Sequence, residues 1–259
     1  MKSDKKRKKK HYIIKQIKQQ QIQDLKRAAK YRREFLGNVS HELKTPIFNI
    51  QGYVHTLLDG ALNDDNVNIK YLQRTSKSID RLIAIIDDLD SISRLESDEL
   101  KLEKTSWDIL ELMSEIFETF EVKTKKKNIE LILPKRKRSI MVYADRNQIS
   151  QVLYNLVSNA IKYGRKGGFV KGIIKNNETN IILTIQDDGI GIEKQNIPRL
   201  FERFYRVDKG RSREEGGTGL GLAIVKHILE VHEEQISVES TKNTGTKFSF
   251  SIKKTIINE

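Results

Sequence analysis

The 259-residue chain has no cysteine. Disulfides, thiolate metal sites and thiol catalysis are therefore excluded. No apolar run reaches the roughly 18 residues that a membrane-spanning helix needs. The opening MKSDKKRKKK has no apolar stretch behind it, so no secretory signal is expected. Internal repeats are missing, and the only biased tract is that basic opening. Histidine is scarce, five in all, so each one can be weighed singly as a chemical group.

What the chain does have is charge. Charged residues make up 32% of it and hydrophobic residues 37%, which suits a soluble, helix-rich protein with modest cores. The net charge of +13 points first to nucleic acid, but its distribution argues against that. Residues 1–34 hold 14 Lys/Arg and 3 Asp/Glu, a net of +11, which leaves +2 for the other 225 residues. The basic character belongs to a tail. Such a block is a solvated arm, an electrostatic contact for anionic lipid or nucleic acid, or the cytoplasmic flank of a transmembrane helix outside this chain.

From about Ile13 to Leu58 the pattern is helical. Ile22, Leu25, Ala29, Arg32, Leu36, Val39 and Leu43 step alternately by three and four, an a/d seam spoiled only at Arg32. DGALNDDN, residues 59–66, reads as a loop. A second helix from about Val67 to Leu95 carries Ile69, Leu72, Ile79, Leu82, Ile83, Ile86, Leu89 and Ile92 on one broad stripe. Two amphipathic helices cannot close a core alone. A symmetric dimer forming a four-helix bundle is the economical solution.

Beyond LESDELKLEKTSW, short β-like runs alternate with helical ones. The runs LKLEK, IELIL, IMVYA, FVKGIIK, NIILTIQ, QISVES and TKFSFSIK read as strands. Helices are expected over about 107–125, 146–163 and 218–231. This predicts a two-layer α+β sandwich. The resulting division is a basic N-terminal helical or linker segment (1–33), a helical hairpin (34–97) and an α+β domain (98–259).

FLGNVSHELKTPI, residues 35–47, holds the most informative histidine. With Leu36 at a and Val39 at d, His41 falls at f and faces solvent. A lone exposed histidine is ordinary helix surface, but its neighbours change that reading. Glu42 can accept the Nδ1 proton, leaving Nε2 basic and nucleophilic near neutral pH. Thr45, at i+4, lies on the same face. Pro46 removes the amide that would bond to the carbonyl of Glu42, so a kink is expected there.

Three further stretches suit a nucleotide. In QVLYNLVSNAIKYG, residues 151–164, Asn155, Asn159 and Lys162 share one helix face, with Tyr163 adjacent. That face is either plain polar surface or an oxygen ligand for Mg2+ beside a phosphate-binding lysine. In QDDGIGI, residues 186–192, a strand ends in carboxylates before Gly189 and Gly191, which permit close backbone approach to a flat ligand. GGTGLGLAI, residues 216–224, opens a helix whose free amides can cradle phosphate.

Each motif alone is weak. Together and in this order they resemble the sensor histidine kinases of bacterial two-component systems. SHELKTP matches the phosphoacceptor box, NLVSNAIKYG the N box, DDGIGI the G1 box, LFERFYRVD (200–208) the F box, GGTGLGLAI the G2 box and TGTKFSF (244–250) the last box. The resemblance covers about residues 34–252, and QGYVHTLLDGAL is most like the phosphate-regulon type. It implies a homodimeric phosphotransfer hairpin followed by a Bergerat/GHKL ATP-binding domain.

Residue by residue, the resemblance makes His41 the phosphoryl acceptor, Glu42 its base and Thr45 the group that serves a phosphatase reaction. Asn159 would hold Mg2+, and Asn155 and Lys162 would contact phosphates beside Tyr163. Asp187 would accept from the adenine amino group, above a floor shaped by Gly189 and Gly191. Arg206, with Lys209, Arg211 and Arg213 in a lid, would meet the γ-phosphate. Gly217, Thr218, Gly219, Leu220 and Gly221 would form the turn that lets the lid close. At Asp188 many relatives carry Asn. The partners implied are ATP, a second copy and the receiver domain of a response regulator, with the chain the cytoplasmic part of an inner-membrane protein. Two rivals stand beside this. ATPases of the chaperone, mismatch-repair and gyrase kind use a glutamate where this chain has Asn155, and an amide cannot deprotonate water. A basic nucleic-acid binder conflicts with the near-neutral charge of residues 35–259.

Overall fold

In the computed structural model, residues 2–96, 101–134, 139–208 and 217–255 are described. The chain forms two compact units, Met1–Leu82 and Ile83–Glu259. The first is a helical hairpin. Helix α1 (Lys2–Leu58) runs without interruption through Pro46, so the expected kink does not break it. Thr45 Oγ1 donates to the carbonyl of His41 at 3.2 Å in the turn before Pro46. The connecting segment is the loop read from its composition. Gly60 there adopts φ +120°, and Asp64 Oδ1 accepts from the amide of Asn66 at 2.9 Å. Helix α2 (Asn68–Glu96) starts in the first unit and ends in the second.

Within the first unit Arg81 Nη2 meets Glu42 Oε2 at 2.8 Å. Nearer the loop, Tyr53 and Tyr71 approach to 5.7 Å between ring centroids, with the Arg74 guanidinium over both. The a/d seam remains largely open. Ile22 is 52% exposed, Leu25 70% and Leu36 56%, and Ile69, Leu72 and Ile79 on α2 are exposed as well.

The second unit is the α+β sandwich. Its five-stranded sheet has the order β2-β4-β5-β7-β6, built from β2 (Glu130–Ile132), β4 (Phe169–Asn176), β5 (Asn180–Asp187), β6 (Ile236–Thr241) and β7 (Gly245–Lys253). All pairs are antiparallel except β2 with β4. A separate antiparallel pair joins β1 (Lys104–Asp108) to β3 (Met141–Asp145). Helices α3 (Ile109–Thr119), α5 (Arg146–Tyr163) and α6 (Gly221–Val231) contribute Leu112, Leu153, Leu156, Ile224 and Ile228 to a core shared with Leu183, Ile185 and Phe250 of the sheet. Ile92 and Leu95, in the last turns of α2, also belong to this core.

Four boundaries differ from the sequence expectation. The strand placed on LKLEK begins only at Lys104, because the register with β3 runs from Lys104 to Asp108 and buries Trp107. The next helix starts at Ile109 rather than Trp107, since Asp108 Oδ1 accepts from the amide of Leu110 at 3.0 Å and caps it. That helix also ends at Thr119, and a short α4 (Glu121–Lys127) follows. The helix expected from Thr218 begins at Gly221, because Thr218–Leu220 form a turn with Gly219 at φ +80°. The boundary near Ser97 lies outside the described residues.

Candidate functional site

Helix α5 is the backbone of the site, and its N-terminus is firmly tied. Asp145 Oδ1 accepts from the amides of Asn147 and Gln148 at 3.0 and 3.1 Å, and Oδ2 accepts from Glu103 N at 3.0 Å. The amide of Asp145 donates to Nε2 of buried His232, whose Nδ1 lies 2.8 Å from the carbonyl of Ile228. Nε2 must therefore be unprotonated, and burial depresses the pKa of this imidazole. The far end of α5 is held by Lys127 Nζ, which donates to the carbonyl of Lys162 at 3.2 Å.

A cleft of about 380 Å³ opens beside α5. Asn155, Asn159, Lys162 and Tyr163 line it from the helix, Asp187 and Gly191 from the end of β5, and Arg206, Gly217, Thr218, Gly219 and Gly221 from the other side. Eleven of the thirteen residues expected to hold a nucleotide thus converge. Gly189 and Leu220 sit behind them. The amide of Gly189 donates to Asp187 Oδ1 at 2.8 Å, and Leu220 is fully buried. Lys209, Arg211 and Arg213 lie outside the described residues.

Asp187 is 8% exposed at the floor of the cleft. Desolvation pushes its carboxyl up to about 6, against backbone hydrogen bonds from Gly189 and Thr246 that favour the charged form. The segment after it is clamped. The amide of Ile190 donates to the carbonyl of Tyr163 at 3.1 Å, and Asn243 N donates to Ile190 O at 2.7 Å. Gly191 has φ +63°, and a Cβ there would lie 2.0 Å from the carbonyl of Thr241. Only glycine fits this position. Asp188 points elsewhere: its Oδ1 accepts from the amide of Phe169 at 3.0 Å, joining the end of β5 to the start of β4.

Opposite, Arg206 Nη2 donates to the carbonyl of Thr218 at 2.6 Å, and Phe204 N donates to that of Gly219 at 2.8 Å. The hydroxyl of Thr218 accepts from Leu220 N at 3.2 Å and donates to Asp88 Oδ2 at 2.5 Å. Burial raises the Asp88 carboxyl above the ordinary carboxylate value, while the Thr218 bond works in the other direction. Lys162 is 7% exposed, and its ammonium stands over the Tyr163 ring at 5.2 Å. The cleft combines a carboxylate floor, two carboxamides, buried and half-buried cations and a glycine turn at a helix start. That set suits a purine with an exocyclic amine and a polyphosphate tail.

Sequence reasoning missed several lining residues. Thr246 and Phe248 alternate inward on β7, and that period was available in TKFSFSIK. Asp88 on α2 and Lys123 on α4 carry no local signal, because only the tertiary fold brings them to the cleft. In the first unit His41 is exposed on α1, as the heptad requires, with Thr45 one turn on. Glu42, expected to serve His41, is nearly buried and engaged by Arg81.

The family described as "Histidine kinase-, DNA gyrase B-, and HSP90-like ATPase" matches residues 144–256, and the "His Kinase A (phospho-acceptor) domain" matches residues 31–98. Sensor histidine kinase WalK of Bacillus subtilis (strain 168) is 39% identical over 223 residues, 85% of this chain and 36% of that protein. The chain therefore spans little more than a third of that relative's length. The solved catalytic domain of histidine kinase ThkA is 33% identical over 59% of this chain and 96% of its own, with a TM-score of 0.52. ThkA in complex with response regulator protein TrrA gives 29% identity and a TM-score of 0.71, over 86% of this chain and 61% of that one. Among the described residues no helix is long and apolar enough to cross a membrane.

Proposed function

Because the chain belongs to the sensor histidine kinases, we propose that the second unit binds ATP and that His41 accepts its γ-phosphoryl group. The convergence of the N, G1 and G2 motifs on one cleft carries this reading. The adenine amino group donates to Asp187, which selects ATP over GTP. Lys162 and Arg206 meet the phosphates, with Asn155 beside the helix start at Gly221. Arg206 leaves the Thr218 carbonyl to do so.

Transfer is an in-line displacement. A bond forms between Nε2 of His41 and the γ-phosphorus as the bond from that phosphorus to the bridging oxygen breaks, and ADP leaves. Glu42 receives the Nδ1 proton. The phosphoryl group then passes to an aspartate oxygen of a receiver domain, and His41 is regenerated. Thr45 aligns water for the reverse, phosphatase direction of signalling.

Mg2+ fits the site only together with the triphosphate. Among the described residues no three acidic, histidine or cysteine side chains gather to hold a metal. The carboxamide oxygen of Asn159 would hold it beside the phosphates. When bound, the ion neutralises triphosphate charge. The functional division is residues 1–33 as a basic linker, 34–97 for dimerisation and phosphotransfer, and 98–259 for catalysis. A second copy covers the open seam of α1 and α2. The chain is the cytoplasmic part of a protein whose membrane-spanning sensor region lies outside it, and it uses no nucleic acid.

The test is incubation with γ-labelled ATP followed by acid. A phosphoramidate on histidine loses the label and a phosphoserine keeps it. Acid-stable label alone would overturn the reading.

A further inference from the structure

Among the described residues, polar contacts tie the end of helix α2 to the catalytic core. Ser91 Oγ bonds Gln151 Nε2 at 3.0 Å, the carbonyl of Leu95 bonds His227 Nε2 at 2.9 Å, and Asp88 Oδ2 accepts from Thr218 at 2.5 Å. Ser91 and Leu95 do not line the nucleotide cleft. Asp88 does, together with Ala84 one turn before it. Besides Asp187, assigned to the adenine, and Asp208, the cleft thus holds a third carboxylate, and this one stands at the phosphate-binding turn.

Its bonding explains what it does there. The amide of Leu220 precedes the first turn of α6, where free amides are placed to receive phosphate oxygens. In this structure that amide donates instead to the Thr218 hydroxyl, and the hydroxyl donates its own hydrogen bond to Asp88. The chain of bonds Leu220 N–H to Thr218 O–H to Asp88 fixes the hydroxyl on the phosphate-binding turn. It also fixes a negative charge beside the path of the triphosphate.

We propose that Asp88 is a negative determinant of nucleotide affinity: its bond to Thr218 and a bound triphosphate exclude one another. This rests on the reading of the cleft as an ATP site. The coupling is reciprocal by thermodynamic necessity. Filling the cleft frees Asp88 and loosens the end of α2 from the core, and docking of α2 weakens ATP. The charge of the ligand sets the size of the effect, so it grows from adenosine through ADP to ATP.

The experiment measures binding of adenosine, ADP and a non-hydrolysable ATP analogue to the full chain by calorimetry, in wild type, Asp88→Ala, Asp88→Asn and Ser91→Ala. Asp88→Ala should tighten the ATP analogue roughly three- to tenfold, tighten ADP less and leave adenosine unchanged. The isosteric Asp88→Asn keeps an acceptor for Thr218 without the charge and should show the same order at smaller size. Ser91→Ala, which weakens docking outside the cleft, should leave the adenosine-to-ATP ratio as in wild type. Unchanged or weaker analogue binding in both Asp88 variants, or equal tightening of adenosine and ATP, would overturn the inference. A wild-type chain that binds no analogue would instead overturn the ATP reading beneath it.

Discussion

Arg81 donates to Glu42 across 2.8 Å, so the carboxylate next to His41 is gripped by the opposite helix of its own hairpin. The two side chains are 11% and 12% exposed, which makes this a nearly buried pair. Removing one partner strands the other. Arg81→Met should therefore destabilise the hairpin by about 3 kcal/mol, the low end for a broken buried pair, read from chemical denaturation. Glu42→Gln keeps an acceptor for Arg81 but no base. It should fold normally and label about a hundredfold more slowly. Full-rate labelling of a folded Glu42→Gln would place the base elsewhere.

His41→Gln should abolish acid-labile label and leave ATP affinity within a few-fold of wild type. The nucleotide residues all belong to the second unit and His41 to the first. Acid-labile label persisting on this variant would transfer the role to another histidine. Neither histidine of the second unit is free for it. His232 is buried against Asp145, and His227 is engaged by the Leu95 carbonyl.

Asp187 gives a pH signature. Its carboxyl is raised to about 6 by burial, and as the proposed acceptor for the adenine amino group it holds that group more strongly when ionised. Affinity for ATP should hold above pH 7, fall as pH drops through about 6 and level off below that. Asp187→Asn should weaken ATP by about 1.5–3 kcal/mol, the scale of a charged hydrogen bond, and flatten the profile. Titrations between pH 5 and 8 on both proteins check this. An equally sloped profile in the variant would assign the titration to another group.

Thr45→Ala should keep most His41 labelling and lose most phosphatase activity toward the phosphorylated regulator. The hydroxyl is one turn from His41 and donates to its carbonyl, so it is placed to align water rather than to remove the imidazole proton. Thr45→Ser should restore the phosphatase. Both rates are measured on one preparation, and a proportional loss of the two would mean that Thr45 only supports the turn before Pro46.

Much of this was legible because the decisive residues sit at fixed local spacings. Asn155, Asn159 and Lys162 occupy one face of α5, whose limits, Arg146–Tyr163, are those expected. Asp187 ends a strand by alternation, and His41 faces solvent by heptad. Most of the failures share one cause, which is contact between distant segments. Arg81 is 39 residues from Glu42, and Asp88 is 130 from Thr218. Ile85 lies between the stripe residues Ile83 and Ile86, yet it is the one fully buried. The start of α3 was misplaced because Trp107 is apolar enough to open a helix. The capping carboxylate of Asp108 decides otherwise.

The open seam of α1 and α2 has one more consequence. The second unit closes an apolar core within a single chain, whereas Ile22, Leu25 and Leu36 of the first remain uncovered. If a second copy supplies that cover, the two halves of one polypeptide obey different laws of dilution. Unfolding of the sandwich is unimolecular and indifferent to how much protein is present. That of the hairpin follows mass action, so its melting point rises with concentration. In a dilute cell the ATP-binding half would persist as a folded monomer while its phosphoacceptor came and went.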